Sequence, residues 1–194
     1  MKKEGPQREV DKRLQTVPKM TRKDSRGVSM LKPMVISGLT VDPLTNSPIV
    51  LLKEVEGQRT LPIWIGLLEA TAIASELEGI KFSRPMTHDL LKNIMGLMNV
   101  KVNRVEVCDL RNNTYFALIH INHNGKDISI DARPSDALAI SLRMGAPIFV
   151  SEEVITKSSQ IEIKSEPEDK SEQGKKWQEI LEKLNPEDFG KYKM

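Results

Sequence analysis

Cysteine, aromatic residues and long apolar runs are all scarce in this chain of 194 residues. With Cys108 as its one cysteine, an internal disulfide and a cysteine-based zinc site are both excluded. That usage fits a reducing, cytoplasmic compartment. Cys108 itself falls in the alternation Val105-Glu106-Val107-Cys108 and reads as a small buried hydrophobe. With four Phe, two Tyr and two Trp, aliphatic side chains must fill most of any core. No run of about 18 apolar residues is present, so no membrane-spanning helix is expected. The basic N-terminus has no apolar segment behind it, so it does not read as a signal peptide.

An excess of charge of one sign is also nearly absent, the formal net charge being +2. That small value hides an uneven distribution. Residues 1–33 hold ten Lys/Arg against four Asp/Glu, giving +6. Residues 34–150 hold eleven against twelve, giving −1, and residues 151–194 hold eight against eleven, giving −3. The central part therefore does not announce a nucleic-acid binder by charge. Only the N-terminal stretch offers cations for phosphate contact by counterion release.

What is present divides the chain in three. Residues 1–33 show no apolar period and read as a basic disordered arm. Residues 34–155 read as one domain, and residues 156–194 as an acidic linker with a short C-terminal helix. The domain starts with strand-like Met34–Val41, a turn rich in Pro and Asn, and a hairpin partner from Ile49. Arg59–Ile65 reads as a third strand. A 3.6-residue period then marks one helix through Leu67, Ala70, Ile73, Ala74 and Leu77. A second follows Thr87, a candidate N-cap, with a stripe of Leu90, Leu91, Ile94, Leu97 and Met98. Further strands are expected at 100–108, 115–121, 127–131 and 147–150. Asn124-Gly125 supplies hairpin-turn chemistry before the third of these. Ser135 is placed to cap a helix over Asp136–Met144, with Gly145 as its stop. In the tail, Trp177, Ile180, Leu181 and Leu184 form one helical stripe that needs a surface to pack on. These elements amount to an α+β fold: a mixed or antiparallel sheet with about three helices, plus the helical tail.

No phosphate-cradling loop, Gly-x-Ser-x-Gly or His-Glu-x-x-His pattern appears. Polar residues instead gather where the chain enters helices: Glu69 in one, Arg84 to Asp89 before the second, Asp131 to Asp136 before the third. Free N–H groups at such places attract phosphate. Glu69, Asp89, Asp131 and Asp136 are candidate oxygen ligands for Mg²⁺ or another divalent cation. Arg84 and Arg133 are candidate phosphate clamps. His88 is a candidate general base or acid, with Asp131 and Asp136 as catalytic carboxylates. The bland alternatives stay open: Asp89 and Asp136 as helix-start residues, Arg133 in a structural ion pair, His88 as an interior histidine. His120 and His123 receive no role. Glu69–Ala74 and Asp136–Ser141 share a weak resemblance to each other.

Four stretches together resemble the bifunctional nuclease domain family, in that family's order. They are Leu61-Pro62-Ile63-Trp64-Ile65-Gly66 with Glu69-Ala70, Arg84-Pro85-Met86-Thr87-His88-Asp89-Leu90, Asp131-Ala132-Arg133-Pro134-Ser135-Asp136-Ala137, and Ala146-Pro147-Ile148-Phe149-Val150. The resemblance implies an α+β fold and hydrolysis of RNA and DNA, hence nucleic acid as partner and no membrane. It does not fix catalytic residues. The residues above rest on their chemistry alone. A non-catalytic oligomeric binding or regulatory module is the alternative, and a homo-oligomer stays open under either reading.

Overall fold

The computed structural model describes residues 20–24 and 27–159. The elements run β1 Met20–Asp24, β2 Gly27–Val41, β3 Pro48–Glu54, β4 Thr60–Trp64, α1 Leu67–Leu77, α2 Thr87–Leu97, β5 Lys101–Arg111, β6 Thr114–His123, β7 Lys126–Ala132, α3 Pro134–Met144, β8 Ile148–Ser151 and α4 Glu152–Ser158. The sheet order is β4-β3-β2-β8-β5-β6-β7, with β1 pairing to β2. All pairs are antiparallel except β5 with β8. A mixed sheet with helices set against it is the α+β class expected from the sequence.

The strand alternation decides which face is covered. Val105 and Val107 of β5 pair with Ile148 and Val150 of β8, and all four are buried. Met34 and Ile36 of β2 join them, and Ile73 of α1 and Leu138 of α3 close the cluster from the helix side. A second cluster sets Ala137 and Ile140 of α3 against Val105, Ala117, Ile119 and Ile121. Helix α3 is thus the central element, in contact with α1, α2, β5 and β6. Its Ala137, Leu138, Ala139 and Ile140 are fully buried. Burying a Leu or Ile side chain contributes about 1.5–3 kcal/mol, so α3 fastens the helix layer to the sheet.

Local chemistry explains the ends of elements. Asn124 and Gly125 both take positive φ, as a two-residue hairpin turn of the expected kind requires. Gly145 ends α3 in the left-handed conformation, at φ 62°. Pro134 occupies the first turn of α3, where its missing N–H costs nothing, so the helix starts at Pro134 with Arg133 as N-cap. The expected Ser135 cap is therefore displaced by two residues. Likewise α2 is capped at Met86, and Thr87 is its first residue.

Two further expectations need correction. The basic arm assigned to 1–33 is strand at 20–24 and from Gly27 onward. Leu31 is buried, paired with Met20 on one side and Ser151 on the other. A backbone ladder needs no apolar period, so charged composition concealed it. Cys108 is only partly buried, since the β5 register shifts between Val107 and Asp109 and its Sγ bonds the Phe116 carbonyl. The stripe on α2 is present and lies uncovered. Only Met95 of that helix is buried, while Leu90, Leu91, Ile94, Leu97 and Met98 are exposed. The tail stripe Trp177, Ile180, Leu181 and Leu184 lies outside the described residues.

Candidate functional site

Helices α1 and α3 lie side by side, and each carries one carboxylate in its first turn, Glu69 and Asp136. Arg133, the N-cap of α3, joins them. Its Nη1 donates to Glu69 Oε1 at 2.7 Å. Its Nε and Nη2 donate to Asp136 Oδ2 and Oδ1 at 2.7 and 3.1 Å, a two-pronged pairing suited to a guanidinium. His88, in the first turn of α2, comes from the other side: its Nε2 lies 3.2 Å from Asp136 Oδ1. Three helix starts thus supply one continuous chain, Glu69–Arg133–Asp136–His88.

The members differ in exposure. The Arg133 side chain is 66% exposed and available to a ligand, whereas Glu69 and His88 are largely covered. Partial burial pushes the Asp136 carboxyl up. The Arg133 and His88 hydrogen bonds outweigh this and hold it below its ordinary value. Arg133 is raised in turn, chiefly by its bond to Asp136. Gly66 makes room for Glu69: a Cβ there would stand 2.3 Å from Glu69 Oε2. The glycine before α1 therefore lets the carboxylate fold back over the helix start.

The remaining candidates are placed differently. Asp89 sits beside His88 but serves two other groups. Its Oδ2 accepts the Met86 N–H at 2.9 Å and its Oδ1 accepts Arg143 Nε at 2.6 Å. Partial burial raises its pKa, and the Arg143 and Met86 bonds bring it below the ordinary value. Arg84 is exposed on the loop before α2, in no ion pair among the described residues. Asp131 is exposed on β7 and alternates with Ile130, which pairs with the core residue Ile119. It therefore faces away from the helices.

Arg143 was not anticipated from sequence. It is buried in the last turn of α3, and besides Asp89 its Nη1 donates to the Ala72 and Ala139 carbonyls. An arginine beside Leu142 and Met144 near a helix end reads as an ordinary dipole partner, which hid it. Glu106 was also missed. It is fully buried between two valines, although carboxylates rarely go inside unpaired.

Among the described residues no group of three or more His, Cys, Asp and Glu is placed to hold a metal ion. Glu69 and Asp136, the nearest approach to such a set, are both taken up by Arg133. As folded, the donor set does not fit a divalent cation. What the arrangement can do without one is bind an anion through Arg133 and move a proton through His88, with Asp136 orienting both.

The bifunctional nuclease domain pattern matches residues 50–163, which include every candidate residue. The chain is 36% identical over 160 residues to an uncharacterized protein of Mycobacterium tuberculosis, covering 79% of this chain and 95% of that protein. It is 29% identical over 108 residues to Bifunctional nuclease 2 of Arabidopsis thaliana, covering 54% and 33%. It is 26% identical over 116 residues to Bifunctional nuclease 1 of Oryza sativa subsp. japonica, covering 58% and 35%. The chain thus spans about a third of the length of these plant relatives. No helix among the described residues is long and apolar enough to cross a membrane.

Proposed function

The chain belongs to the bifunctional nuclease domain family, and from that premise we propose that it hydrolyses phosphodiester bonds of RNA and DNA at the Glu69–Arg133–Asp136–His88 chain. The observation that carries this reading is Asp136, which holds the exposed Arg133 guanidinium at 2.7 Å and the His88 imidazole at 3.2 Å. A phosphodiester needs a cation on the non-bridging oxygens and a group that takes a proton from the attacking oxygen. Arg133 is the first and His88 the second. Arg84, exposed on the loop that leads into α2, supplies a further cation along the strand of substrate. Glu69 holds Arg133 from the other end. Asp89 and Asp131 have no part in proton transfer here, since Asp89 is tied to Arg143 and Asp131 faces away. The cytoplasm is the compartment this reading assumes.

The test is cleavage of single-stranded RNA and DNA by the full chain, with Mg²⁺ and with EDTA. His88→Gln and Asp136→Asn should lower kcat about 100-fold or more while the fold is kept. Cleavage that survives both variants would remove this site from the reaction. Cleavage lost in EDTA would mean that a cation displaces Arg133 from Glu69 and Asp136.

One observation favours a second reading, an oligomeric binding module. The carboxylates are saturated by arginine, and α2 turns five apolar side chains to solvent. A second copy covering that stripe would make a homo-oligomer with or without chemistry. A pure wild-type chain that binds but never cleaves nucleic acid would favour it.

A further inference from the structure

The face of the sheet turned away from α1 and α3 carries a second polar cluster, on β5, β6 and β7. His120 is the register partner of Arg104 on one side and of Ser129 on the other. Val105 and Val107 point into the helix-side core, so Arg104 and Glu106 point to this opposite face. The Ser129 hydroxyl lies 2.9 Å from His120 Nδ1. His120 Nε2 lies 3.0 Å from Glu106 Oε2. Glu106 is 0% exposed, and Arg104 Nη2 stands 3.8 Å from the same carboxylate oxygen. Arg104 Nε is buried without a hydrogen-bond partner. Ser129 is exposed.

We propose that Ser129, His120 and Glu106 form a serine hydrolase centre for neutral or cationic carboxylic esters, separate from the nuclease site. The parts are those a nucleophilic serine requires: a base in hydrogen-bond contact, and a buried carboxylate that orients the base and steadies its charged form. The two imidazole nitrogens exchange roles relative to the familiar triad. Either nitrogen accepts a proton when the other carries one, so the chemistry is the same. Asp127 and Asp131, two residues either side of Ser129, share its face of β7. They repel anions, which excludes a phosphodiester and selects an uncharged or positive ester.

In the first step Ser129 Oγ bonds to the ester carbonyl carbon while its proton passes to His120 Nδ1. The tetrahedral adduct collapses, the C–O bond to the alcohol breaks, and the departing alcohol takes the proton from His120. Water then repeats the sequence on the acyl-serine, giving the acid and restoring Ser129. Glu106 keeps the His120 ring oriented throughout. Arg104 contributes positive charge beside it and a spare N–H donor.

The probe is an alkyl fluorophosphonate on the full chain, followed by peptide mass mapping. Attack forms the Ser129 Oγ–P bond, expels fluoride and leaves the proton on His120. A single adduct on Ser129 is expected, with p-nitrophenyl acetate giving a one-equivalent burst. His120→Gln should slow labelling about 100-fold or more, and Ser129→Ala should abolish it. Glu106→Gln removes a buried charge and risks the fold. Ser129→Cys, at an exposed position, is therefore the second arm: its alkylation by iodoacetamide should be faster than that of Cys108 and should fall in the His120→Gln background. No adduct on Ser129, or labelling indifferent to His120, overturns the proposal. Asp136→Asn should leave the labelling unchanged, which separates this centre from the nuclease reading.

Discussion

Arg143 of α3 reaches Asp89 of α2, Nε to Oδ1 at 2.6 Å, and so ties the helix that carries His88 to the helix that carries Asp136. The guanidinium is buried, and its Nη1 donates to two carbonyls. Removing it takes a donor from both carbonyls and leaves the Asp89 carboxylate with the Met86 N–H. The Asp89 side chain is 32% exposed, so Arg143→Met should cost about 1–3 kcal/mol, the range for leaving a buried polar group without its partner. Urea unfolding measures this. A loss below about 1 kcal/mol would mean that water replaces Arg143 freely.

Acid should act on the same layer. The Asp136 and Asp89 carboxyls are both held below the ordinary value of 3.8, because hydrogen bonds to arginine and other donors outweigh partial burial. A carboxyl depressed in the folded state contributes stability above its unfolded value and loses it as pH falls through the folded one. Melting temperature should thus hold with respect to these groups down to about pH 4 and drop below it. Asp136→Asn combined with Asp89→Asn should flatten that acid limb. An unchanged limb would assign the acid loss to other carboxylates.

The fold was legible where one face of an element is buried. Ile73 and Leu77 of α1, the β5 valines and the Asn124-Gly125 turn each follow a period or a turn rule that water enforces. The gathering of Glu69, Arg133 and Asp136 was legible as residue types at helix starts, although their pairing was not. Arg133 could have met either carboxylate, or Asp131, and only the packing of α1 on α3 decides. The α2 stripe was legible as an apolar face, but a helical period does not report what covers it. His120 and Glu106 were opaque for a different reason. Their relation runs across two strands, and no spacing within one strand encodes it.

Gly66 gives a test of how tightly the network is held. A Cβ at 66 would stand 2.3 Å from Glu69 Oε2, so Gly66→Ala must push the carboxylate aside. Its expected consequence is the loss of the Glu69–Arg133 bond, as in Glu69→Gln. Arg133 is largely exposed, so either change alone should cost under about 1 kcal/mol. The two should not add: a double variant no worse than either single one places both on one interaction. Full additivity would show that the glycine acts elsewhere.

The last prediction concerns the uncovered helix. Leu97 is 85% exposed, and Leu90, Ile94 and Met98 lie on the same side of α2. A change at an exposed position usually costs under about 0.5 kcal/mol, so Leu97→Asp should leave the unfolding free energy of a monomer almost untouched. If a second copy covers the stripe, the same change buries a charge in an apolar contact. The assembly should then weaken sharply, since an unpaired charge is costly to bury. Sedimentation over a range of concentrations separates the cases. The expected result is a wild-type homo-oligomer that Leu97→Asp converts to monomer with little change in far-UV dichroism. A wild-type chain that stays monomeric at about 100 μM would leave the stripe without a self-partner, because an interface this apolar should associate well below that concentration.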